Sequence, residues 1–116
     1  MAGFTDFLEA KVLDELFSAT AYAEPATWHI ALSTTTPTDA GASFTEPASN
    51  YARVAVTNNV TNWPAATGGA KSNGTAFTFV EATGSWGTVT HAGIFDAATA
   101  GNLVAWGALA VSKTIS

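Results

Sequence analysis

Apolar and polar positions follow a helical period at the start of the chain. Between Phe4 and Ala19, apolar side chains recur at steps of three and four residues on one side of the segment, and polar side chains gather on the other. The apolar side holds Leu8, Val12, Leu13, Leu16 and Phe17. This pattern predicts an amphipathic helix within residues 1–20. Asp6 and Glu9 support it, because the positive end of a helix dipole favours acids in the first turns.

Two large rings break this helical pattern. A rotation of about 100° per residue places Phe4 and Phe7 towards the polar side of the predicted helix, near Lys11 and Asp14. A loop of the same domain could cover them, or they could contact a neighbouring subunit, since aromatic side chains often anchor interfaces. We therefore treat Phe4 and Phe7 as candidate interface residues.

After Tyr22 the period changes to two, which is typical of strands. Alternating runs occur at 28–32, 51–57, 77–79, 89–95, 103–109 and 111–115. The less hydrophobic stretches 34–50 and 58–74 predict long loops, the likeliest contact surfaces of such a fold. The second loop ends in Asn73-Gly74, a pair typical of tight hairpin turns because both residues tolerate positive φ.

These elements predict a mainly β fold with one N-terminal α-helix. We expect a compact antiparallel β-sandwich or small barrel, with the helix packed on an end or edge. No repeat or linker divides the chain, so residues 1–116 form one domain, with the helix in 1–20 and the β-domain in 26–116. Trp28, Trp86 and Trp106 are expected to be core residues.

Composition narrows the classes of function. The 116 residues contain no cysteine, which excludes disulfides and thiolate-bound zinc. The net charge of -5 argues against a nucleic-acid partner, and the short apolar runs argue against a membrane partner. The start of the chain lacks a signal-peptide pattern, so we expect synthesis and use in a cytoplasm. Only 11% of the residues are charged, which predicts that a partner covers part of the surface.

The segment GSWGTVTHAGIFD, residues 84–96, carries the types of residue found in a hydrolase triad. However, Ser85 lacks the glycine spacing of a nucleophile elbow, and His91 and Asp96 point to opposite faces of one strand because their separation is odd. Neither histidine has a second ligand at metal-binding spacing. We expect a non-enzymatic protein with no catalytic residues, no metal and no cofactor.

The long loops supply three further interface candidates. Phe44 lies in the first loop, and Trp63 and Pro64 lie in the second. Trp63 is the best candidate for an exposed ring, which would also suit stacking on a sugar.

Several long stretches resemble a known family. They are YARVAVTNNVTNWPAATGGAKSNGTAFTF, ATGSWGTVTHAGIFDAATAGNLVAWGAL, the ending SKTI, and the opening helix with PATWHIALSTTTPTDAG. Together they cover nearly the whole chain and resemble small virion proteins of tailed bacteriophages and prophages, commonly labelled tail fibre or structural protein.

The resemblance implies a virion structural protein that is synthesised in the cytoplasm of a bacterial host. Within that class we favour a capsid decoration (cement) protein that stabilises the shell as a symmetric oligomer, with a trimer at sites of local threefold symmetry as the expected form. The alternatives are a tail fibre, tail or baseplate component and, more remotely, a carbohydrate-binding receptor module. The expected partners are further copies of the chain and either the major capsid protein or tail proteins.

Overall fold

Five strands and one helix make up the computed structural model, which describes residues 3–116. In chain order they are β1 (Gly3–Phe4), α1 (Asp6–Ser18), β2 (Thr27–Ser33), β3 (Val54–Thr57), β4 (Gly87–Phe95) and β5 (Leu103–Ile115). All the strands join one antiparallel sheet in the order β1-β5-β4-β2-β3. The predicted mainly β fold with one N-terminal helix is confirmed, and loops rather than a second sheet cover the faces. Over residues 3–116, no helix has the length and apolar character needed to cross a membrane.

Most of the predicted elements are present, with different ends. The helix and strands β2 and β4 match the pattern to within about two residues, and the runs 103–109 and 111–115 form one continuous strand, β5. The run 51–57 is a strand only at Val54–Thr57. Strand β1 was not predicted, because a two-residue strand is too short to show any alternation.

The prediction of a strand at 77–79 is wrong. Phe77 and Phe79 are half-buried and their neighbours are exposed, so the alternation is real, but the segment pairs with no strand of the described chain. Its side chains pack instead on other aromatic rings: Phe77 lies 5.3 Å from Trp63, and Phe79 stacks 6.2 Å from Tyr51. The alternation therefore reflects an extended segment that packs on one side, without pairing with a strand of the sheet.

Because no strand follows, Asn73-Gly74 does not form the expected hairpin. The Gly74 N–H donates a hydrogen bond of 2.7 Å to the Asn62 carbonyl and closes the loop on itself. A Cβ at Gly74 would lie only 2.8 Å from Cγ of Pro64, so the close approach requires glycine.

The main buried hydrophobic cluster lies on one face of the sheet, which we call the core face. In the strand register Ala31 lies opposite Gly93, and Gly93 lies opposite Trp106. The buried cluster on this face is Ala31, Phe95, Leu103 and Trp106, with Phe44 from loop 34–50 packed against it. Burial of Trp86 and Trp106 is as predicted, whereas Trp28 is half-buried.

A buried arginine holds the cover of the core face in place. The Arg53 side chain is 6% exposed, and its Nε and Nη2 donate to the two Glu46 carboxylate oxygens at 2.9 and 2.8 Å. Its Nη1 donates to the carbonyls of Ala97 and Ala100, both at 2.8 Å, and its guanidinium lies 3.7 Å from the centroid of the Phe95 ring. Arg53 thereby connects loop 34–50, the start of β3 and the β4–β5 turn. We call this arrangement the Arg53 clamp.

Tyr51 completes the clamp from its other side. Its hydroxyl donates to Glu46 Oε1 at 2.7 Å and accepts the Leu32 N–H at 3.0 Å, beyond the point where β2 pairs with β3. Burial and the bond to Glu46 raise the pKa of Tyr51. Burial alone would also raise the pKa of Glu46, but the hydrogen bonds from Arg53 and Tyr51 outweigh it and hold that pKa below its usual value. Glu46 is therefore charged and Tyr51 is neutral at pH 7, as their hydrogen bonds require.

Replacing Arg53 by lysine tests the clamp. Arg53→Lys keeps the charge but loses the planar fork, so it leaves carboxylate and carbonyl oxygens without donors. We expect the free energy of unfolding, measured by urea denaturation, to fall by about 3 kcal/mol. The control Lys113→Arg, at an exposed position, should leave it unchanged. A loss no larger than that of the control would mean that the clamp acts only as a surface ion pair.

Candidate functional site

Helix α1 turns its polar side towards its own chain. The Phe7 ring meets the Tyr22 ring edge to face at 6.5 Å, and Lys11 Nζ lies 5.6 Å from the centroid of the Phe7 ring. The Tyr22 N–H is 3.5 Å from Glu15 Oε1. Phe7, Lys11 and Glu15 lie on the polar side of the helix, where the returning chain half-buries Phe7 and leaves Lys11 and Glu15 exposed.

The apolar side of α1 is exposed beyond Leu8, which is half-buried. None of the 13 residues of the helix is buried. Four large side chains on the outer side, which we call the exposed stripe, are 37%, 55%, 67% and 79% exposed: Val12, Leu13, Leu16 and Phe17. An amphipathic helix normally turns its apolar side to the core. In this chain the orientation is reversed.

Only the start of the helix is firmly attached to the sheet. Thr5 is 1% exposed, and its hydroxyl donates to the Leu103 carbonyl at 2.6 Å while its N–H donates to Val104 at 3.0 Å. The Asp6 N–H donates to the Asp39 carbonyl at 2.7 Å. These bonds fix the first turn to β5 and to loop 34–50, and the exposed stripe lies beyond them.

The N-terminal candidates, Phe4 and Phe7, differ in their surroundings. Phe4 is 55% exposed and lies opposite Ala105 at the edge of the sheet. Phe7 is half-buried against Tyr22, so a segment of its own chain covers part of this ring, as in the first of the two alternatives. A role for either ring in an interface remains a proposal.

The loop candidates lie in two separate places. Phe44 meets Phe95 edge to face at 5.0 Å and belongs to the packing of the core face. Trp63 is half-buried beside Phe77, and Pro64 is exposed, with its carbonyl accepting a 2.8 Å hydrogen bond from Lys71 Nζ. Of the five candidates, the structure brings together Trp63 and Pro64 in one loop and leaves the other three apart from them.

A groove lies on the face of the sheet opposite the core face, and sequence analysis did not find it. Its volume is about 640 Å³. Small residues form part of its floor, between larger aliphatic side chains of the sheet, and aromatic residues of the segment 63–79 form its wall. The lining includes Ile30, Leu32, Ala92, Ile94, Ala105 and Gly107 from the sheet, Trp63, Phe77 and Phe79 from the wall, and Lys71, which lies at the rim. The floor and the wall come from segments that are far apart in the sequence, so no local sequence pattern could predict the groove.

The residues that resemble a triad have separate partners. The Ser85 hydroxyl donates to the Ile115 carbonyl at 3.2 Å, and the Asp96 carboxylate accepts the Asn102 N–H at 2.7 Å. His91 Nδ1 lies 2.7 Å from the Thr90 hydroxyl. Across residues 3–116 there is no group of three or more His, Asp or Glu side chains that could hold a metal ion.

The packing of Phe44 predicts a specific loss of stability. Phe44→Ala should lower the free energy of unfolding by about 2 kcal/mol, because the ring is half-buried against Phe95 and Leu103. The matched variant Phe4→Ala removes a ring that is 55% exposed and should cost much less. Urea denaturation of the two variants compares them directly. Equal losses would contradict the assignment of Phe44 to the core.

Comparison with known proteins identifies the family of this chain. A family model described as Podophage GP4 fiber I protein gp80 matches residues 3–116, which is nearly the whole chain. Comparison with curated proteins gives no significant match. The match confirms the resemblance to tail fibre and structural proteins of tailed phages. This chain, with its single sheet and outward-facing amphipathic helix, belongs to the podophage GP4 fiber I protein gp80 family.

Proposed function

We propose that the chain is a non-enzymatic structural subunit of the fibre apparatus of a tailed-phage virion, and that it works there as a homo-oligomer. Its partners are further copies of itself and other proteins of the tail. It is synthesised in the cytoplasm of the bacterial host and acts in the assembled particle. Family membership supports the class of protein, and the structure supports assembly.

The exposed stripe is the single observation that carries the proposal. A 13-residue helix is marginally stable in water by itself and usually depends on burying an apolar side. In α1 that side faces solvent, with Phe17 79% exposed. Fully burying one large apolar side chain contributes about 1.5 to 3 kcal/mol, so covering several of them would stabilise both the helix and an assembly. In a particle that holds many copies of a subunit, a neighbouring subunit can bury this apolar side.

The family description favours the tail over the capsid. Sequence analysis favoured a capsid decoration protein, because a small, weakly charged domain without cysteines suits a protein that bridges neighbouring shell subunits. The matching family is described by a fibre protein instead, and the exposed stripe serves assembly in either place. We therefore propose a fibre location, with capsid decoration as the outcome that a localisation experiment would distinguish.

Other roles have less support in the structure. A sugar platform needs an open aromatic face, whereas the Trp63 ring is half-buried against Phe77. A triad needs its three groups linked by hydrogen bonds, whereas Ser85, His91 and Asp96 each bond elsewhere. Structural assembly is the function that accounts for the exposed stripe, because assembly would bury these apolar side chains.

Labelling of intact particles tests the location. An epitope tag fused after Ser116, which is exposed, leaves α1 and the sheet unchanged. We expect gold-labelled antibody to appear on the tail in electron micrographs, and a tag on the major capsid protein of the same phage to label only the shell. Labelling of the shell by the Ser116 fusion would establish decoration instead. Particles that lack the protein would contradict a virion role altogether.

A further inference from the structure

The groove and the exposed stripe are both apolar, and they differ in the size of their side chains. The stripe presents large side chains, among them Leu13, Leu16 and Phe17. The groove offers about 640 Å³ above a floor that includes the small residues Ala92, Ala105 and Gly107. An amphipathic helix that lays its apolar side into a hydrophobic groove is a recurrent mode of protein recognition. One chain therefore carries both halves of such an interface.

Their charges are also complementary. Helix α1 carries four acidic residues and one basic residue: Asp6, Glu9, Asp14, Glu15 and Lys11. The only charged residue that lines the groove, over the described residues 3–116, is Lys71. Its Nζ donates to the Pro64 carbonyl, and no acidic side chain of residues 3–116 pairs with it. An acidic helix and a groove with a lysine at its rim attract one another.

We propose that the groove of each copy receives the exposed stripe of a second copy. This proposal rests on the proposed function as a self-assembling subunit, and it names the two surfaces that join. Different surfaces of the two copies meet, so the contact is heterologous: repeated head to tail, it closes into a ring or extends as a filament. Docking buries the apolar side of α1 and stabilises the helix at the same time.

Each surface has its own variant. Leu16→Asp with Phe17→Asp disables the stripe, and Ala92→Glu places an acid on the groove floor. Lys71→Glu reverses the charge at the rim from an exposed position, so it serves as a second groove variant if Ala92→Glu destabilises the fold. Val111→Asp is the matched control for the stripe, since Val111 is 80% exposed and lies outside both surfaces. Lys113→Glu is the matched control for Lys71→Glu.

Sedimentation velocity of each purified protein gives the first result. We expect the wild-type chain, Val111→Asp and Lys113→Glu to associate with equal affinity. The stripe variant should bind at least about 30-fold more weakly, because truncating central apolar anchors typically has effects of this size. Lys71→Glu should weaken association about fivefold, as expected for an exposed charge pair. Wild-type chains that stay monomeric at roughly 1 mM would overturn the proposal.

Mixing the two kinds of variant distinguishes this contact from all others. The stripe variant keeps an intact groove, and the groove variant keeps an intact stripe. The stripe variant and Ala92→Glu should not associate alone, whereas an equimolar mixture of the two should form a dimer and nothing larger. If Lys71→Glu has to replace Ala92→Glu, it should still associate weakly alone, and the stripe variant should cap its assemblies and shift them towards dimers. Rescue by mixing supports the proposal. If groove variants associate like the wild type and mixing rescues nothing, the helices pack on one another or on another surface, and the proposal is wrong.

Failure of this inference can be told apart from failure of the proposed function. Virions that carry the tagged protein on the tail, together with unaltered association of the stripe and groove variants, would leave the fibre role intact and overturn only this contact. Association through stripe and groove, together with label on the shell, would support the contact and overturn the tail location.

Discussion

The cover of the core face depends on the bonding of one buried cation, Arg53. A guanidinium with little exposure is tolerated only when its donors are satisfied. Here they reach both oxygens of Glu46 and two carbonyls of the β4–β5 turn, and the plane of the group lies over Phe95. Two irregular segments are thereby fixed to the sheet, in a chain that has no disulfide to hold them. The core face owes its cover to this arrangement as well as to the hydrophobic contact of Phe44.

The clamp and the buried cluster of the core face include no residue of α1, so the helix is available for another task. Its main attachments are the bonds of Thr5 and Asp6 and the contacts of Phe7 and Glu15 with Tyr22. Phe7 and Glu15 belong to the polar side of the helix, and the apolar side beyond Leu8 remains exposed. This division between a self-sufficient sheet and an unsatisfied helix is what an assembling subunit requires, since the energy of covering the helix then appears as affinity between copies.

Much of the fold could be predicted because helices and strands leave local patterns in the sequence. Most of the candidate site could not be predicted, because its residues come from segments that are far apart in the sequence. Periodicity located α1 and strands β2, β4 and β5. It failed at Phe77 and Phe79, since alternation describes one-sided packing whether or not the backbone joins a sheet. Periodicity also shows which side of a helix is apolar, but it does not show which side the rest of the chain covers. The outward orientation of the exposed stripe therefore could not be predicted. Arg53 is a single arginine in the sequence, and its partners lie 7, 44 and 47 positions away. The groove combines a floor and a wall from different segments, and no local pattern marks it.

Amide hydrogen exchange of α1 as a function of protein concentration tests this account most directly. At concentrations where sedimentation shows only monomer, the amides of α1 beyond its first turn, up to Ser18, should exchange nearly as fast as in an unfolded peptide. The Asp6 amide, which donates to Asp39, and the amides of β4 should stay protected. As concentration rises and copies associate, protection should spread along α1 with no change in β4. A helix that is already fully protected where sedimentation shows only monomer would contradict the account, because α1 would then be stable without a partner.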